Sequence, residues 1–139
     1  MRIAWLCLIG AIVPAAALAA APTPSAACHG AQQRKYIAQM LFGRDVGRRL
    51  GVSEDAWKRF VAREITPRFP DGLTVIDASG QWRDRSGGAI MREPSKLVEI
   101  VLPGNADDEA RLDAIATAYR RQFRQRSVAI ILQSACVSF

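Results

Sequence analysis

The side chains in this sequence best suited to hold a ligand are Arg44, Arg68, Asp71, Trp82, Arg92 and Lys96. A guanidinium grips a carboxylate or phosphate through parallel hydrogen bonds, and an indole face stacks on an aromatic ring or a cation. Together they describe a seat for a small anionic or aromatic ligand, with Arg83 as a further cation beside Trp82. Pro67 and Pro70 flank Arg68-Phe69, and each ring fixes its own backbone angle, so the directions in which Arg68 and Asp71 project are stiffened. A structural account of the same stretch stands beside the functional one. In it Asp71-Gly72 makes a turn, Phe69 plugs the core, and Arg68 pairs with a local carboxylate or caps the carbonyls of the preceding helix.

Covalent catalysis finds little support. Nucleophile-and-base chemistry needs a histidine or a free thiol near its partner, and the one histidine, His29, falls in a segment that reads as a tether. Gly87-Gly88 suits a hairpin tip and not the strand-to-helix turn of a phosphate cradle. Glu99, alone among apolar residues at 97–102, and Asp77 would serve as acid or base if buried, since burial raises a carboxyl pKa; an exposed sheet surface or a subunit interface explains Glu99 equally. No catalytic residue is assigned, and no cofactor is expected. No metal is expected either, because adjacent Cys28 and His29 leave a tetrahedral site half empty. An enzyme acting on a small substrate would need a buried acid or base beside Trp82.

The segments that must position these residues begin after an address label. Arg2, the apolar run 6–19 and Ala17-Leu18-Ala19 have the charge, length and small-residue exit of a cleavable signal peptide over 1–20. The expected location is therefore periplasmic or secreted, with the membrane touched only during export. A lipobox reading of Ser25-Ala26-Ala27-Cys28 lacks the usual leucine. Residues 21–34, rich in Ala, Pro, Thr and Ser, read as a disordered tether, and 35–139 as a single domain, long enough for one core. Cys7 leaves with the leader. The remaining Cys28 and Cys136, in an oxidising compartment, are expected to form one disulfide between the ends of the domain.

Periodicity supplies the elements. Strands are expected at 36–42, 73–78, 97–102 and 127–132, with extended arms at 81–83 and 89–93 around a hairpin tip at 84–88. One helix, capped by Ser53 and ended by Pro67, carries Trp57, Phe60, Val61 and Ile65 on its apolar stripe. A second, capped by Asn105, carries Leu112, Ile115, Ala116, Tyr119 and Phe123. The order is β-α-β-β-α-β, a ferredoxin-like α+β sandwich: a four-stranded antiparallel sheet with two helices on one face. Right-handed crossovers make the first and last strands antiparallel neighbours. Cys28 and Cys136 then come close, so the topology and the cysteine pairing support each other.

The run Thr66-Pro67-Arg68-Phe69-Pro70-Asp71-Gly72-Leu73-Thr74-Val75, followed by Gly80-Gln81-Trp82-Arg83 and Glu93-Pro94-Ser95-Lys96, resembles the bacterial family known as domain of unknown function 3574. The resemblance extends from Phe42-Gly43-Arg44 to Val137-Ser138-Phe139. It implies an exported bacterial protein of one such domain and implies no activity.

With 19 Lys+Arg against 13 Asp+Glu the chain is moderately basic. The acids are interspersed and the cations at 120–126 suit a helix C-terminus, so no nucleic-acid partner is expected. The leading expectation is a non-catalytic module binding a small ligand or an envelope component through the hairpin and the open sheet face. A homodimer formed across that face is a second expectation, and a cofactor-free enzyme of the dimeric α+β barrel kind is the alternative.

Overall fold

The computed structural model describes residues 27–47, 49–83 and 88–139. The expected leader, residues 21–26 of the expected tether and positions 84–87 of the expected hairpin tip lie outside them.

Alternation builds the central strand. In β1 (Gln33–Gly43) Ala38, Met40 and Phe42 are fully buried while the residues between them face outward. It begins earlier than its apolar run because its first residues pair with the end of the chain, Gln33 opposite Val137 and Arg34 opposite Cys136. The other long strands are β4 (Thr74–Arg83), β5 (Ile90–Val101) and β6 (Ala129–Val137). Their order is β4-β5-β1-β6, and every neighbouring pair is antiparallel. Cys28 and Cys136 are bonded, with Cα atoms 5.4 Å apart. The fold is therefore α+β, a four-stranded antiparallel sheet with two helices, closed by a disulfide between the ends of the domain.

The first helix starts as its sequence implies: the Ser53 hydroxyl accepts from the Ala56 N–H, and Glu54 and Asp55 occupy the positive end of α1 (Glu54–Phe60). From Val61 to Ile65 the chain continues in the wider π-helical form, in which Thr66 N–H reaches back to the Val61 carbonyl. Val61 is thereby only half-buried, whereas Ile65 is fully buried. A stripe of apolar positions does not distinguish these two windings.

The second helix, α2 (Asp108–Phe123), departs from expectation at its start. Asn105 does not cap it. Gly104, at φ +93°, turns the chain so that the Gly104 and Asn105 N–H groups both donate to the Asp108 carboxylate, which also pairs with Arg111.

Both helices press their stripes onto the same sheet face. Phe42 stands at the junction, its ring centroid 5.2 Å from Trp57 and 4.8 Å from Tyr119, while Phe60 lies 5.0 Å from Tyr119. Tilted and edge-on rings at such distances are the favoured aromatic packing. The opposite face carries Ile37, Leu41, Ile76, Leu97, Val101 and Ile131 by register. At its centre Gln39 donates to the Glu99 carboxylate at 2.9 Å, so Glu99 belongs to the open surface and not to the core.

After β1 the chain folds into a small hairpin of β2 (Asp45–Val46) and β3 (Arg49–Leu50). Arg44 organises it. Its carbonyl accepts the Gly51 and Val52 N–H groups and its Nε donates to the Val52 carbonyl at 2.9 Å.

Candidate functional site

On the open face, at the end of the sheet near the β1 terminus, two glycines make a recess. A methyl group on Gly43 would lie 2.7–2.8 Å from all three atoms of the Glu93 carboxylate, and one on Gly80 would lie 2.7 Å from the Ser95 hydroxyl. Only hydrogen at Gly43 lets Glu93 settle against the strand, and only hydrogen at Gly80 leaves room for the Ser95 hydroxyl. The Glu93 Oε1 accepts from the Trp82 indole N–H at 3.1 Å and its Oε2 from the Asp45 N–H at 3.2 Å. The Trp82 ring is 41 % exposed. Beneath the recess the buried Tyr119 hydroxyl donates to the Gly43 carbonyl at 2.9 Å, and burial pushes its phenol well above the ordinary value.

A second cluster occupies the helix-facing side. Phe42, Lys96 and Asp77 lie in one row across β1, β5 and β4. Lys96 is 3 % exposed; its Nζ donates to Asp77 Oδ1 at 2.5 Å and to Glu54 at 3.0 Å. Glu54 also pairs with buried Arg44 at 3.2 Å. The ammonium lies shallow, shielded by the two carboxylates and not by deep packing. Burial alone would lower its pKa, but the hydrogen bonds from Asp77 and Glu54 outweigh that and hold it above the ordinary lysine value. The Lys96 hydrogen bond and charge hold Asp77 below the ordinary carboxyl value. Between α1 with its π-helical extension and β4 runs a cleft of about 410 Å³, walled by Trp57, Val61, Ala62 and Val75, with Lys96, Asp77 and Glu54 along it.

Of the six residues singled out from the sequence, the fold brings Arg44 and Lys96 together through Glu54. Trp82 stands on the other face of the sheet. Arg68 folds back on its own helix, its Nη1 donating to the Glu64 carbonyl at 2.7 Å and carboxylate at 2.9 Å, which is the structural account of that residue. Asp71 is exposed in the turn before Gly72, whose φ of +141° favours glycine, and Arg92 is exposed opposite Gln81. The side chain that joins Trp82 is Glu93. It belongs to the Glu93-Pro94-Ser95-Lys96 motif, but only the register of three strands shows what it touches. Among the described residues no three His, Cys, Asp or Glu side chains gather as metal ligands do, and no helix is long and apolar enough to cross a membrane.

No curated protein matches the sequence. Among solved structures, a phage SAM lyase in complex with S-methyl-5'-thioadenosine superposes with a TM-score of 0.59 at 20% identity, over 84% of this chain and 97% of that one. A phage SAM lyase in its apo state gives 0.59 at 18% identity, over 78% and 87%. CutA from Synechococcus elongatus PCC7942 gives 0.47 at 11% identity, over 77% and 80%. At such identities the likeness to the lyases is one of fold. The family model described as protein of unknown function (DUF3574) matches residues 37–139, which is nearly all of the described domain, and the chain accordingly belongs to that family.

Proposed function

We propose that the protein is an exported module of ferredoxin-like topology that binds a small organic cation or an aromatic ring stacked on the indole at the Trp82–Glu93 recess. One observation carries the reading: a carboxylate seated against Gly43 and held by the Trp82 indole and Asp45 N–H groups lies beside a half-exposed indole. A cation over an indole face gains about 0.5–2 kcal/mol, and a neighbouring carboxylate adds to it. The sequence alone pointed to a small anionic or aromatic ligand at Trp82; the neighbour in the fold is acidic, so a cation takes the place of the anion. The lyase of similar fold binds S-methyl-5'-thioadenosine, whose base is a ring of the sort an indole stacks on. A second copy laid on the open face would cover Ile37, Leu41, Ile76, Leu97 and Ile131 and close the recess. The leader expected from the sequence and the disulfide together favour an oxidising destination.

Calorimetric titration of the exported protein with choline and with S-methyl-5'-thioadenosine tests the site. Binding is expected to weaken at least about tenfold in Trp82→Ala and in Glu93→Gln. Affinities unchanged in both variants refute it, and native mass spectrometry reports the oligomer.

A second reading rests on the same carboxylate. An enzyme of this architecture requires an acid or base beside Trp82, and Glu93 occupies that place. Incubation with SAM and detection of released S-methyl-5'-thioadenosine decides it: turnover lost in Glu93→Gln while binding persists supports lyase chemistry, and no turnover in the wild type ends it.

A further inference from the structure

We propose that the cleft between α1 and β4 is a second binding site, for a small amphipathic anion whose carboxylate or phosphate head takes the place of Asp77 on Lys96. It stands on the helix-facing side of the sheet and is independent of the Trp82–Glu93 recess.

Three observations converge on it. The first is an asymmetry of burial within the ion cluster. The cation side chains are withdrawn from solvent, Lys96 at 4 % and Arg44 at 10 %, while the carboxylates are not, Asp77 at 83 % and Glu54 at 48 %. Lysine is rarely buried in this way unless something anionic meets it. The fixed part of the site is therefore positive and the movable part negative. Asp77 projects from β4, an edge strand whose residues are nearly all exposed, so turning its side chain outward breaks no packing. A solvent-facing carboxylate gains little from such a pair, which makes it displaceable by an anion that brings further contacts.

The second is the shape and lining of the cleft. About 410 Å³ falls within the range of small-molecule sites. Trp57, Val61, Ala62 and Val75 give it an apolar stretch beside the polar Lys58 and Thr66, so an anion with a hydrocarbon or aryl body gains from leaving water there as Asp77 cannot.

The third is the backbone. The helix changes to the π-helical form where Val61 and Ala62 line the cleft, with Val61 half-buried, packed against the core on one side and lining the cleft on the other. Wider turns of this sort are frequent at functional sites.

The test is isothermal titration calorimetry of the exported protein with octanoate and octyl phosphate, with octylamine as the oppositely charged control. Octanoate and octyl phosphate are expected to bind, and octylamine not to. Asp77→Asn removes the competitor and should tighten octanoate about two- to fivefold, whereas a purely structural ion pair predicts no binding in either form. Lys96→Met should weaken octanoate at least about tenfold. Ala62→Trp, which fills the cleft and leaves the ions untouched, should abolish binding. If Lys96→Met fails to fold, the Asp77→Asn and Ala62→Trp results still decide. The proposal is overturned by absence of octanoate binding at millimolar concentration in both the wild type and Asp77→Asn, by equal affinity for octylamine, or by full affinity in Ala62→Trp.

Discussion

Replacing Gly43 with alanine should separate the recess from the fold. The added methyl would stand 2.7–2.8 Å from the Glu93 carboxylate atoms, well inside ordinary contact, while the backbone there is one any L residue adopts. The clash falls on the end of a flexible side chain, so Glu93 retreats and the strand stays. Its retreat breaks the bonds to Trp82 and Asp45, each worth about 1 kcal/mol net. Removing a glycine from the unfolded chain returns about 0.4–1 kcal/mol. Stability should therefore fall by about 1–1.6 kcal/mol, read from the midpoint of urea unfolding. The Trp82 indole N–H resonance should shift as its acceptor leaves, and choline affinity should fall about tenfold, equivalent to 1.4 kcal/mol. A loss of more than about 3 kcal/mol would show a rigid structural contact, and an unmoved indole resonance would show that Glu93 does not depend on Gly43. Either result refutes the reasoning.

Reduction of the Cys28–Cys136 bond, which spans 108 residues, should lower stability by up to about 4.7 kcal/mol in the chain-entropy description, measured as the difference between unfolding with and without reductant; a difference under about 1 kcal/mol would contradict it. Phe42→Ala removes the ring that meets Trp57, Phe60 and Tyr119, and should cost about 3–5 kcal/mol in the same assay. The Asp77–Lys96 pair sets a pH window. Asp77, held below its ordinary 3.8, contributes fully above that pH and loses its contribution as pH falls through the lowered folded value. Lys96, held above its ordinary 10.5, contributes below that pH and loses its share as pH rises through the raised value. The stability gap between wild type and Asp77→Asn should accordingly be present at neutral pH and close in acid; a gap constant from pH 7 to 2 would rule the pair out as its source.

The architecture was legible because its signals are local and repeat: alternation in β1, the stripes of α1 and α2, the serine cap, and two cysteines whose separation only one strand order brings together. What escaped is set by contacts across strands or by winding. Glu93 was visible in a motif, yet its seat depends on β5 lying between the strands that carry Gly43 and Gly80. The π-helical stretch keeps Trp57, Phe60 and Ile65 buried, so the apolar pattern is almost the same for either winding. Asn105 and Asp108 are both ordinary helix-start residues, and the turn at Gly104 decides between them. Arg44 and Lys96 were recognisable as cations, but that Glu54, from the first turn of α1, holds both could be read only in three dimensions.

The sulfur bridge between positions 28 and 136 turns the intervening polypeptide into a covalent ring. A protease that cuts the backbone once anywhere inside that ring opens it without releasing a fragment: the nicked molecule keeps its full mass and its two halves stay at high effective concentration for each other. Only a second cut, or a thiol reagent, sheds material. In surroundings rich in peptidases, a single nick in the β2–β3 loop would therefore pass unseen on a non-reducing gel and appear as two bands only after reduction.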